Sequence, residues 1–297
     1  MQSQEMTTKI ANGQGFIAAL DQSGGSTPKA LRGYGVEDSA WAGDDEMFAK
    51  IHEMRCRVVT SPSFTGEKVL GAILFEKTMD GCVDDGTSVP EKLKSRGIVP
   101  FLKVDKGLED EADGVQLMKP NPTLDALLEK GKAAGVYGTK MRSVVQSANP
   151  AGIAAIVEQQ FEVGRQILSH GLMPIIEPEV NIEAADRAGS ETILLAEILK
   201  ALDAQPDGGQ VMLKLSLPVE ANLYKPLVDH PKVLRVVALS GGFTRPDACA
   251  HLAKNTGMIA SFSRALLQEL RATMDDAEFD LALATAIDEI QAASAAG

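Results

Sequence analysis

The stretch Val211-Met212-Leu213-Lys214-Leu215-Ser216-Leu217 is an apolar run with one lysine at its centre. Pro206-Asp207-Gly208-Gly209 before it and Pro218 after it bound it as a strand. Side chains of a strand alternate between faces, so Lys214 shares a face with Met212 and Ser216 and opposes Leu213 and Leu215. An ammonium in such a run is costly to bury unless its charge is removed or matched. The stretch by itself leaves two readings open. One is an edge-strand lysine that snorkels to water. The other is an amine whose pKa is lowered by burial and nearby cations until it can attack a carbonyl.

Working outward, similar apolar runs alternate with amphipathic stretches. Strands are expected at Gly15–Asp21, Val69–Phe75, Gly97–Asp105, Gly135–Arg142, Leu172–Glu179, Val211–Leu217, Val233–Leu239 and Gly257–Phe262. Between them lie helical segments. One has Asp44-Asp45-Glu46 at its start and Arg55 and Arg57 near its end, in keeping with the macrodipole. Another starts at Asn149-Pro150, a good N-cap and first-turn pair, and stops at Gly171. The polar stretch Gly107–Gly114 suggests a loop or hairpin. Helices are expected over Ala265–Met274 and Ala277–Ala292, with a polar N-terminal extension over about residues 1–12 and a frayed tail over 293–297.

This eightfold β-then-α alternation predicts an α/β chain folded as a (β/α)8 barrel in one domain, residues 1–297. A doubly wound open sheet is the rival. The eightfold repeat and a length that suits the fold favour the barrel, and nearly every strand is apolar until its C-terminal end. Asp21, Lys103, Asp105, Lys140, Arg142, Glu177, Glu179, Ser240 and Arg264 all fall there. In a barrel those ends share one mouth, where active sites are built.

Within the pairs Lys103/Asp105, Lys140/Arg142 and Glu177/Glu179 both members share a face. They read either as structural salt-bridge layers or as a reaction centre, and buried charge is a poor stabiliser. Lys140 is two strands from Lys214, placed to lower its pKa by repulsion, and Glu177 lies on the strand between, placed to move protons. A neutral amine beside a proton shuttle is what imine formation requires. Ser240-Gly241-Gly242 after the seventh strand and Arg264 after the eighth are expected to form a phosphate site. Ser23, Ser26, Lys103 and Arg142 offer a second anionic site across the mouth.

Other classes are disfavoured. With 29 basic and 41 acidic residues the formal charge is −12, against general nucleic-acid binding or attachment to anionic membranes. No run reaches membrane-spanning length and no signal-peptide core is present. Cys56, Cys82 and Cys249 are odd in number and widely spaced, as expected of reduced thiols in a cytoplasm. His52, His170, His230 and His251 fall in helices or in loops before strands, away from the mouth, with no zinc-ligand spacing. No metal or other cofactor is expected. Dinucleotide and Walker fingerprints are also missing.

Together these residues resemble the class I fructose-bisphosphate aldolases. The resemblance rests on Ala18-Ala19-Leu20-Asp21-Gln22-Ser23-Gly24-Gly25-Ser26, Leu102-Lys103-Val104-Asp105-Lys106-Gly107, Glu177-Pro178-Glu179 and Leu239-Ser240-Gly241-Gly242, in order along most of the chain. It implies that Lys214 forms the Schiff base, that Glu177 shuttles protons with help from Lys140, and that Asp21 removes the C4 hydroxyl proton. It further implies that Ser240, Gly241, Gly242 and Arg264 hold the C1 phosphate, that Ser23, Ser26, Lys103 and Arg142 surround the C6 phosphate, and that Glu179 supports the charge pattern. The implied reaction is reversible cleavage of fructose 1,6-bisphosphate to dihydroxyacetone phosphate and glyceraldehyde 3-phosphate. A tagatose-bisphosphate aldolase and a non-catalytic barrel are the alternatives, and a homo-oligomer is compatible with the family. Three departures stand out: Gln22 replaces the glutamate of animal enzymes, Phe262-Ser263-Arg264 is shorter than the family's phosphate loop, and the chain ends without their C-terminal tyrosine.

Overall fold

Leu213 and Leu215 are fully buried and pack outward against helices, whereas Met212 packs inward with Ile175, Val237 and Ile259. Burying each leucine contributes about 1.5–3 kcal/mol. The alternation expected for the lysine strand therefore holds, and it places Lys214 inside a barrel.

A computed structural model describes residues 3–206 and 208–297, so Asp207 of the turn before the lysine strand lies outside it, as do the first two residues of the N-terminal extension. The strands are β1 (Phe16–Leu20), β2 (Val69–Leu74), β3 (Val99–Lys103), β4 (Val115–Gln116), β5 (Gly138–Val145), β6 (Met173–Val180), β7 (Val211–Ser216), β8 (Val233–Leu239) and β9 (Ile259–Ala260). Eight of them pair in parallel in the order β1-β2-β3-β5-β6-β7-β8-β9. Ala19 N–H donates to Phe262 O at 3.1 Å and brings the last strand end against the first. The result is a nearly closed (β/α)8 barrel with helices between the strands.

The added strand, β4, answers the loop-or-hairpin question. Val115 and Gln116 pair antiparallel with Val145 and Val144, and Leu108 bridges Met118. Gly107–Gly114 is thus part of a hairpin that extends the wall of β5 beyond the mouth. At the other end of β5, Gly138 permits a close approach. A Cβ there would lie 2.3 Å from Met173 O and 2.9 Å from the Phe101 ring.

The described residues near both ends are built into the fold. Ser3–Asn12 is a helix whose Met6 and Ile10, one turn apart, are buried with Ile17, Leu70 and Val99 and plug the barrel floor. Arg235 Nη1 holds Ala11 O at 2.6 Å. The last helix, Asp276–Ala296, runs past the expected end at Ala292. Ser294 Oγ accepts from Ala260 N–H at 3.0 Å and Ala293 is buried, so this tail is anchored to β9. Its start is a capping box of Asp275 and Glu278. The helix expected over Ala265–Met274 is a single turn, Arg264–Leu267. No described helix is long and apolar enough to cross a membrane.

Candidate active site at the barrel mouth

The inward positions of β1, β5, β6 and β7 change from apolar to charged at the same height. Ile17 and Ala19 precede Asp21, Ile175 precedes Glu177, and Met212 precedes Lys214. Register sets Lys103 beside Lys140 and Arg142 beside Glu177. Asp21, Lys140, Glu177 and Lys214 form one chain of alternating charge. Lys214 Nζ lies 3.0 Å from Glu177 Oε1. Lys140 Nζ lies 2.9 Å from Glu177 Oε2 and 2.6 Å from Asp21 Oδ2. None of the four side chains is more than 9% exposed.

Asp21 reaches Lys140 from the far side of the barrel, so this knot depends on closure. Burial opposes ionisation of Asp21, but the charges of Lys140 and Lys214 outweigh it and hold its pKa well below the usual carboxylate range. Burial likewise disfavours the Lys140 ammonium, yet Asp21, Glu177 and Asp105 outweigh it and raise its pKa. Lys140 is therefore a matched cation. The expected repulsion between the two lysines is answered by Glu177, which stands between them.

The backing of Glu177 was not apparent in the sequence. Gln160, fully buried on the helix Pro150–Ser169, accepts from Glu177 N–H at 2.9 Å and donates to Ser143 Oγ. Arg55, which the sequence places only near a helix end, is a second such residue. It is fully buried, donates to Thr78 Oγ1 at 2.7 Å, and holds both oxygens of Gln22. A signal existed in both cases, because each residue interrupts an apolar stripe. Arg55 falls four residues after Ile51 and four before Val59, and Gln160 follows Ile156 and Val157. Ser261 is a third such residue. Its hydroxyl is buried at the end of β9 without a partner.

At the first proposed anionic site, Ser240 is buried and Gly241 and Gly242 adopt φ of 61° and 125°. Only glycine takes such a pair readily. A Cβ on Gly242 would lie 3.6 Å from Arg264 Nη2, so the turn and the guanidinium face one another. Arg264 is exposed. At the second, Ser26 Oγ donates to Ser23 O at 2.9 Å and accepts from Ser23 N–H, closing a turn. Lys103 pairs with Asp105 at 2.6 Å and Arg142 with Glu179 at 3.0 Å. No direct bond joins the Ser23–Ser26 turn to Lys103 or Arg142 among the described residues.

His251 stacks on Phe243 at 4.9 Å between ring centroids, and Phe243 directly follows the Ser240–Gly242 turn. Among the described residues no group of three or more His, Cys, Asp or Glu is arranged to hold a metal ion. Tyr224 is fully buried in the apolar core, away from the charged knot.

Residues 3–214 match the family model of class-I fructose-bisphosphate aldolase. The chain belongs to that family. The enzyme is accordingly an aldolase, a carbon–carbon lyase. Its fold is similar to that of a fructose-bisphosphate aldolase from Plasmodium falciparum, solved in a ternary complex with TRAP and a small-molecule inhibitor. The two share 21% identity with a TM-score of 0.80, over 99% of this chain and 95% of that one. The family match ends at Lys214, so the glycine turn and Arg264 of this aldolase lie beyond it.

Proposed function

We propose that the enzyme cleaves fructose 1,6-bisphosphate reversibly through a Schiff base on Lys214. The observation that carries this reading is the contact between Lys214 Nζ and Glu177 Oε1 at 3.0 Å, inside the barrel and below the mouth. The unprotonated amine attacks the C2 carbonyl, and its proton has a direct path to Glu177. Glu177 then gives a proton to the carbinolamine oxygen, water leaves, and the iminium forms. Asp21, held ionised by Lys140 and Lys214, accepts the C4 hydroxyl proton. The C3–C4 bond breaks, its electron pair enters the iminium, and glyceraldehyde 3-phosphate departs. Protonation of the enamine at C3 and hydrolysis release dihydroxyacetone phosphate and regenerate the amine.

Lys140 keeps the two carboxylates oriented and counters their charge. Ser240, Gly241, Gly242 and Arg264 receive the C1 phosphate, since a positive-φ glycine turn offers main-chain N–H donors unobstructed by side chains and faces an unpaired guanidinium. Ser23, Ser26, Lys103 and Arg142 receive the C6 phosphate, with Glu179 orienting Arg142. The anionic sugar is the expected partner, and a cytoplasmic setting fits its three unpaired cysteines.

The test is borohydride trapping. Incubation with fructose 1,6-bisphosphate followed by reduction is expected to leave a triose phosphate adduct on the peptide containing Lys214. An active preparation with no adduct there would sink the mechanism. Parallel turnover of fructose and tagatose bisphosphates decides the sugar.

A further inference from the structure

The barrel is most weakly joined where its first and last strands meet. The strand order runs from β1 to β9 with no registered ladder between those two among the described residues, and β9 is only two residues long. Side chains bridge this seam at the mouth. Gln22, next to Asp21, donates from Nε2 to Ser263 Oγ at 2.5 Å, and Ser263 directly precedes Arg264.

The direction of that bond is fixed from below. Arg55 Nη2 donates to the Gln22 main-chain carbonyl and, at 3.1 Å, to Gln22 Oε1. A guanidinium has only donors, so the amide must turn its oxygen to Arg55 and its nitrogen to Ser263. Arg55 cannot yield, being fully buried and tied to Thr78 Oγ1. Ser263 Oγ thus accepts from Gln22, and its own proton is left for another acceptor. A glutamate at this position would reverse the outcome. It would consume the serine proton and set a carboxylate beside the phosphate arginine.

We propose that Gln22, oriented by Arg55, makes Ser263 a hydrogen-bond donor to the phosphate ester bound by Arg264 and the Ser240–Gly242 turn. Ser263 is then a binding residue, and Gln22 and Arg55 are positioning residues acting through it. The inference rests on the phosphate assignment made above.

The experiment compares steady-state kinetics of Ser263→Ala, Gln22→Glu and Arg264→Ala on fructose 1,6-bisphosphate and fructose 1-phosphate, with thermal melts. Losing one bond to a charged group is expected to raise KM about tenfold for Ser263→Ala, equally on both substrates and with kcat little changed. Gln22→Glu is expected to raise KM further while its melting temperature holds or increases, because Arg55 gains an ion pair. A merely structural strut would show the opposite, a lowered melting temperature with unchanged KM. Unchanged KM in Ser263→Ala or Gln22→Glu, with KM raised in Arg264→Ala, would overturn this inference alone. Unchanged KM in Arg264→Ala would overturn the phosphate assignment and this inference with it.

Discussion

The charged knot at Lys214 and the rim at Arg264 sit in one mouth but are built on opposite plans. In the knot every charge is answered: Lys214 and Lys140 share Glu177, and Lys140 also holds Asp21. At the rim, Arg264 is exposed and forms no ion pair or hydrogen bond among the described residues. Buried ions must be matched by the protein or they are not tolerated. Exposed ones remain hydrated and can wait for a ligand. On the proposed mechanism the reacting groups are in place before substrate arrives, whereas the phosphate groups are completed by it.

The strongest way to break this contrast is Lys214→Met. Activity is expected to fall on the order of 10⁴-fold or more with the fold retained, checked by turnover and circular dichroism. Survival of activity would move the nucleophile elsewhere. Glu177→Gln comes next, with a loss on the order of 10²–10⁴-fold in kcat because proton transfer to and from the carbinolamine is removed. Pre-steady-state trapping with borohydride is expected to show slower adduct formation.

Lys140→Met sharpens the comparison through stability. It leaves Asp21 and Glu177 buried with one fewer cation, and is expected to cost about 3–5 kcal/mol in urea unfolding at neutral pH. The pH dependence follows from the depressed Asp21 pKa. Its stabilisation is whole above the ordinary aspartate pKa of about 3.9 and is lost as pH falls below that value toward the folded one. The native enzyme is thus expected to lose stability on acidification below about pH 4, and Lys140→Met to lose less over the same range. Equal slopes would place the acid sensitivity outside the knot. The smallest structural effect belongs to Arg264→Ala. Stability is expected to shift by no more than about 0.5 kcal/mol, while KM for the bisphosphate rises about tenfold.

How much of this was legible in the sequence depended on whether the evidence lay within one element. The strand with Lys214 was readable because period-2 alternation is local, and the charged ends of β1, β3, β5 and β6 were readable for the same reason. The N-terminal helix was harder, since its two apolar anchors, Met6 and Ile10, acquire meaning only against the barrel floor. The tail after Ala292 reads as frayed small residues, yet Ser294 Oγ accepts from a main-chain N–H that only β9 supplies. Arg55 and Gln160 left a trace as polar interruptions of apolar stripes, but a stripe does not say what the interruption touches.

The sequence by itself determined the alternation of strands and helices, the inward face of each strand, and the height at which that face turns from apolar to charged. Tertiary structure alone decided which of those charges meet. Asp21 finds Lys140 across the barrel, and Gln22 finds Ser263 across a seam spanning 241 residues of chain. Side-chain direction is a local consequence of backbone geometry, whereas the partner of a charge depends on closure of the sheet, a property that no single segment carries.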